Sequence, residues 1–377
     1  MITDAYALKL ERVASLDVPN LRLHAQGIAQ PGSATPEAVV TQLGAIQAQD
    51  YHGALWSIGL RLADAHATRA DVERAITDRT IIRSWPMRGT LHFIPAADAR
   101  WMLELMTPRI MKGAAGRHRQ LELDDATFRR SRTLVAKALE QHAILTRTAL
   151  LAALEAGGVS TAGQRGIHIL QRLCMECMLC YGPHSEKQPT FVLFDEWVRT
   201  SRRLDRDDAL RTMAERFFVS HGPATVRDFV GWTGLTVADA KTGLQLAEPA
   251  LARVVAADGA ELWMSNSLPT SSAAPPRAHL LPGFDEFMLG YKDRSAALAT
   301  RYAGRIVPGG NGMFLPTLVL DGRVCGTWRR TIRAKSVVLE ASPFVRLTAS
   351  EKKAFAVPDG RYARFLGVPV TVTWVDG

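Results

Sequence analysis

The chain has 377 residues, 47% of them hydrophobic and 22% charged, a composition of soluble globular proteins at a length suited to two to four domains. It carries 46 Lys+Arg against 37 Asp+Glu, a formal charge of +9, which suits a polyanion; without a basic amphipathic tail, nucleic acid is favoured over a membrane. The opening MITDAYALKLERVASL lacks a signal-peptide core, no run approaches about 18 apolar residues, and four cysteines make no disulfide scaffold, so a cytoplasmic protein is expected.

The first hundred residues have helical spacing. Thr35-Pro36-Glu37 is a helix start, with Thr as N-cap, Pro in the first turn and an acid beside it; Val39, Val40, Leu43 and Ile46 continue the stripe. Projected at 100° per residue, a helix from 36 to 46 would carry Asp50 into the middle of that stripe and Gln47 to its edge. Burying an unpaired Asp is expensive, so either the helix ends near Gln47 or the polar groups line a pocket; Gly53 favours an ending. A second helix is expected over Arg69–Asp78, followed by RSWPMRGTLHFIP (83–95), with Gly89 turning between two extended runs. Helices followed by a small hairpin are the layout of a winged helix-turn-helix.

The layout recurs. Residues 145–182 read helix, Gly-Gly turn, helix, with PTFVLFDEW as a wing strand, and 207–247 repeat the theme before ALARVVAADGAELWM, where Asp258-Gly259 is a hairpin signal. The Ser/Pro/Ala-rich segment 265–279 reads as a linker. Beyond it the pattern turns to strands, with Asp321-Gly322 between two apolar runs as another hairpin. The expectation is an α+β chain of three tandem winged helices, at 1–132, 133–205 and 206–266, and a β-rich, barrel-like domain at 267–377. Basic charge concentrates in 321–365, where ten Lys/Arg face four acids, and in TPRIMKGAAGRHRQ (107–120), which reads either as a flexible phosphate-tracking loop or as a solvated connection.

Four groups of residues invite a chemical reading. Cys174, Cys177 and Cys180 have a spacing that suggests a metal, but they lie in an apolar helical pattern, so core packing is favoured and no metal is expected. His52, His92 and His118 are acid/base candidates without a nucleophile motif beside them. GGNG (309–312) lacks the Lys-Ser/Thr of a phosphate loop. Asp285-Glu286 are either paired carboxylates or a strand-to-loop turn, and the turn is favoured.

Gln47-Ala48-Gln49, RSWPMRGTLHFIP (83–95), LLPGFDEFMLGYKDRS (280–295) and GNGMFLPTLVLDGRVCGTWRR (310–330), in that order along nearly the whole chain, resemble the AlkZ/YcaQ-type winged-helix DNA glycosylases. The resemblance implies tandem winged helices with a C-terminal β domain, excision of N-alkylated purines without a cofactor, and, in some members, action on interstrand crosslinks. It places catalysis on Gln47 and Gln49, the Gln-x-Gln subgroup related to self-resistance against alkylating natural products, with Asp50 secondary. From the matching blocks Arg83, Arg88, His92, Lys292, Arg294, Trp328, Arg329 and Arg330 are expected to bind DNA. The expected partner is duplex DNA carrying alkylated bases, met by a monomer in the nucleoid. The rival class is a noncatalytic winged-helix regulator, which a palindrome-reading dimer would exemplify; a metal protein built on the cysteines is a third.

Overall fold

The structure is a computed structural model that describes residues 11–12, 16–186, 188–256, 259–267, 277–333 and 335–375. Two compact units divide the chain: Met1–Val72, Leu210–Trp232 and Thr236–Gly377 form one, Glu73–Ala209 with Thr233–Leu235 the other. Helices and strands are mixed in both, giving an α+β fold. No helix among the described residues is long and apolar enough to cross a membrane.

Three times the chain runs through helices into a pair of strands. Pro36–Leu43, Tyr51–Gly59 and Arg69–Thr77 precede the strands Ile81–Met87 and Thr90–Pro95; Arg147–Ala156 and Arg165–Met175 precede Leu179–Tyr181 and Thr190–Leu193; Val226–Thr233 and Val237–Ala247 precede Leu251–Val255 and Glu261–Ser265. This is the order expected from the sequence. The turns explain the strand pairs: Arg88 (φ 54°) and Gly89 (φ 72°) make a two-residue link of the I′ kind between Met87 and Thr90. In the third pair Val255 faces Glu261 and Gly259 has φ 85°; Asp258 of that expected turn lies outside the described residues.

In the second unit the sheet runs Thr90–Pro95, Ile81–Met87, Leu179–Tyr181, Thr190–Leu193, Leu145–Thr146. Its core gathers Trp85, Phe128, Leu139, Leu150, Leu170, Leu173 and Phe191. Cys174 belongs to this core, and Cys180 is buried in the strand Leu179–Tyr181. The three cysteines do not share a helix face, because the helix ends at Met175 and Cys177 takes a positive φ of 54°. Burial pushes all three thiols up, Cys177 to about 11. A second correction concerns 107–120, which is no loop: Ala99–Gln120 is one 22-residue helix, and it passes through Gly113 and Gly116, where an added Cβ would meet open space.

In the first unit, five strands run in the order Ala278–Leu281, Thr317–Leu320, Arg323–Ile332, Val337–Pro343, Val370–Trp374, antiparallel except for the last pair. Asp321 (φ 48°) and Gly322 (φ 76°) make the expected hairpin turn. The helices Ala349–Ala354 and Ala356–Leu366 interrupt the β-rich stretch. Of the expected linker at 265–279, positions 268–276 lie outside the described residues, and Ala278–Leu281 is already strand.

Candidate active site

The helix Pro36–Leu43 begins as expected, with Thr35 Oγ1 accepting the Ala38 N–H at 3.1 Å. It ends three residues before Gln47, at Gly44, whose φ of 79° is open to glycine and costly for a side chain. A Cβ on Gly44 would meet only ordinary contacts, with Trp232 Cη2 at 3.4 Å, Arg216 Cβ at 3.8 Å and Met213 Sδ at 4.0 Å, so the positive φ is what selects glycine. The chain then leaves the helical path, so Asp50 never enters the apolar stripe. Ile46–Gln47 is extended, Ala48 is fully buried, and the backbone bends at Gln49–Asp50 before a new helix, Tyr51–Gly59. Gln47 is 7% exposed and Gln49 is exposed.

Asp50 is the N-cap of this new helix, but its carboxylate makes no capping bond. It turns to Arg330, whose Nη2 donates to both carboxylate oxygens at 2.9 Å. Gly53 makes that posture possible: a Cβ there would lie 2.6 Å from Asp50 Oδ2. Gly53 is therefore not a helix terminator but the gap in which the carboxylate rests. Arg330 also lies by Tyr362, whose phenol is pushed up mainly by burial, with Arg330 opposing. His52 is lowered from the usual imidazole range, first by desolvation and then by Arg330, so it is neutral near pH 7.

The Asp285-Glu286 pair proves to be more than a turn. Asp285 Oδ1 accepts from Phe287 N–H, capping a short helix, and both its oxygens accept from Arg61 at 2.9 and 3.0 Å. Ser57 donates to the same carboxylate at 2.7 Å, and Arg61 reaches on to the Gln26 carbonyl and side chain. Glu286, wholly buried, accepts the backbone N–H of Gln47 at 3.1 Å and the indole N–H of Trp232 at 2.7 Å. Two carboxylates inside the apolar stretch LLPGFDEFML are the signal that could have revealed this, because charges there must be paired.

The expected DNA contacts divide. Lys292 is exposed; its stem lies over Gly231, where any Cβ would collide with it, and its backbone N–H donates to Asp228 Oδ1 at 2.7 Å. Arg294 is half-buried, with Nε donating to the Met288 carbonyl at 2.6 Å and its guanidinium 4.9 Å from the Phe314 ring centre. Arg329 is 75% exposed and paired with Glu340. Trp328 is a core residue instead of a surface contact: it is 1% exposed, and its indole donates to the Leu281 carbonyl at 2.9 Å. In the second unit, Arg83 is buried against the Tyr181 ring. Arg88 sits at the hairpin tip and donates to His92 Nε2 at 3.2 Å. His92 is 0% exposed, and its Nδ1 lies 2.9 Å from the Thr90 carbonyl, which only accepts. The ring is thus neutral and protonated at Nδ1, holding the turn together instead of meeting DNA. His118 is lowered by desolvation and packs on Phe128 and His168.

Residues 40–365 match the family model described as DNA glycosylase AlkZ-like. The interstrand DNA cross-link repair glycosylase of Streptomyces sahachiroi is 26% identical over 318 residues, covering 77% of this chain and 81% of its own. The solved structure of Streptomyces sahachiroi DNA glycosylase AlkZ has a TM-score of 0.74 at 23% identity, over 96% of this chain and 100% of that one, a likeness of fold. With the match covering most of its length, the chain belongs to the AlkZ-like DNA glycosylase family.

Proposed function

We propose that this chain is a monofunctional glycosylase that hydrolyses the N-glycosidic bond of purines alkylated at N7 or N3 in duplex DNA, acting as a monomer in the cytoplasm. The observation that carries the reading is the loop Gln47-Ala48-Gln49, which is held by a buried carboxylate and followed by an Asp already engaged by Arg330. An alkylated purine is cationic, so it departs without a strong acid. What the enzyme must add is an oriented water and stabilisation of an oxocarbenium-like sugar. Carboxamide oxygens accept a hydrogen bond from water and preorganise it, although they are not useful bases at neutral pH. Asp50, ion-paired with Arg330, is assigned a structural and electrostatic part. The name of the Streptomyces sahachiroi relative supports extending the substrate to interstrand crosslinks.

The test uses duplexes with a single N7-methylguanine or an N7-linked interstrand crosslink, scored for abasic-site formation under single turnover. Gln47→Ala and Gln49→Ala should each slow release about 10²–10³-fold, the scale of losing a preorganised polar group. Affinity for the lesion duplex should change less than about threefold, because phosphate contacts dominate it. Wild-type rates in both variants would remove the assignment. Tight, sequence-selective binding without base release would favour a noncatalytic DNA-binding protein.

A further inference from the structure

We infer that Glu286 is a positioning residue for the reaction, fixing Gln47 through its main chain; this rests on Gln47 being catalytic, as proposed above. Glu286 is 239 residues from Gln47 in sequence, yet its Oε1 accepts the Gln47 N–H at 3.1 Å. Its Oε2 accepts the Trp232 indole N–H at 2.7 Å, and His221 Nε2 lies 3.5 Å from the same oxygen. Neither Glu286 nor His221 has measurable exposure, so no water competes for these bonds. His221 is itself clamped, stacked on Phe217 with ring centres 4.7 Å apart and bonded through Nδ1 to Ser220 Oγ at 2.8 Å.

The arrangement acts on one short piece of backbone from two directions. Trp232 lays its ring edge beside Gly44, where a Cβ would lie in ordinary contact 3.4 Å from Cη2, and donates its N–H to the carboxylate that holds Gln47. Gly44 and Gln47 bracket the turn out of the helix Pro36–Leu43, and the Glu286 bond, backed by Trp232, fixes the backbone at Gln47. Hydrogen bonds in a dry interior are stronger than in water, and both Glu286 oxygens are used in them. A main chain held in this way orients the Gln47 carboxamide before substrate arrives. Catalysis needs that ordering, because a misplacement of about 1 Å costs on the order of 10²-fold. A carboxylate offers acceptors to both N–H donors. A carboxamide offers one, and its NH₂ would face the other donor.

Single-turnover release from the N7-methylguanine duplex, lesion-DNA affinity and thermal melting test the inference on the full chain. The variants are Glu286→Gln, Trp232→Phe and Gln47→Ala, with the last combined with each of the others. Glu286→Gln should slow release about ten- to a hundredfold with DNA affinity unchanged. Trp232→Phe should slow it severalfold, and neither should slow the Gln47→Ala enzyme further. Such non-additivity marks action through Gln47, which a general loss of stability would not produce. If Gln47→Ala is impaired while Glu286→Gln releases base at the wild-type rate, the inference fails and the catalytic reading stands. An equal loss from Glu286→Gln with or without Gln47 would also overturn it. A wild-type rate in Gln47→Ala would instead fail the catalytic reading. Should Glu286→Gln not fold, Trp232→Phe carries the test, and an unchanged rate in it overturns the inference.

Discussion

Asp50 and Gly53 share one small volume, and the sign of a substitution at either depends on the other. An alanine in a helix interior is favoured over glycine by about 1 kcal/mol, so Gly53→Ala ought to stabilise the helix Tyr51–Gly59. Its new methyl, however, would lie 2.6 Å from Asp50 Oδ2, while Pro282 Cβ at 3.4 Å leaves it only an ordinary contact on the other side. The carboxylate would have to leave, and with it the ion pair to Arg330. Gly53→Ala is therefore expected to lower the melting temperature of the wild type and to raise it, relative to the single variant, in an Asp50→Ala background. Melting curves of the four proteins in this cycle check the claim; equal shifts in the two backgrounds would refute it. The sequence pointed to a conflict around Asp50, since an uninterrupted helix would have buried its charge. It did not locate the break, because the deciding feature is Gly44's positive φ, and the carboxylate that holds Gln47 beyond it, Glu286, comes from 239 residues away.

At the scale of elements, the helix Tyr51–Gly59 is held along its C-terminal half. Trp56 donates to the Leu280 carbonyl and packs on Tyr362 and Phe365, and Arg361 donates to the carbonyls of Gly59, the last residue of the helix, and of Leu62 just beyond it. From its side, Ser57 and the following Arg61 meet Asp285. Both members of the Arg61–Asp285 pair are almost wholly buried, at 2% and 1% side-chain exposure, so removing one strands the other in a dry interior. Asp285→Ala should cost about 3–5 kcal/mol, read as a lowered urea midpoint with unchanged slope. A loss below about 1 kcal/mol would show that Arg61's carbonyl partners suffice. The elements most legible in the sequence were those set by local chemistry: the Thr35 cap, and the Gly89 and Asp321-Gly322 turns whose positive φ angles glycine tolerates. The helix Ala99–Gln120 was not legible, because two glycines and a run of cations imitate a loop when nothing local reveals its packing. The same holds for Glu286. Its short-range pattern is a turn, and its part in the site comes from residues 54 and 239 positions away.

For the whole molecule, the net charge of +9 matters only through cations that remain available to phosphates. Arg330 is largely committed to Asp50, and Arg294 is half-buried beneath its contacts with Met288 and Phe314. Lys292, Arg329, Arg333 and Lys335 are exposed in the first unit, although Arg329 must exchange Glu340 for a phosphate. If these four each neutralise one phosphate, the logarithm of affinity should fall against log salt with a slope near −3.6, about a hundredfold between 50 and 200 mM. Lys292→Ala should reduce the magnitude of that slope by about one and leave the single-turnover rate at saturating protein unchanged. Arg330→Ala should behave oppositely: it frees Asp50's charge, barely changes the slope and slows base release, because the carboxylate beside Gln49 loses its counter-ion. Titrations of lesion duplex at several salt concentrations, paired with rate measurements on the same proteins, separate the two classes of cation. A slope near zero would show that binding does not neutralise phosphates at all, and identical slopes for wild type and Lys292→Ala would place the binding charge elsewhere on the chain.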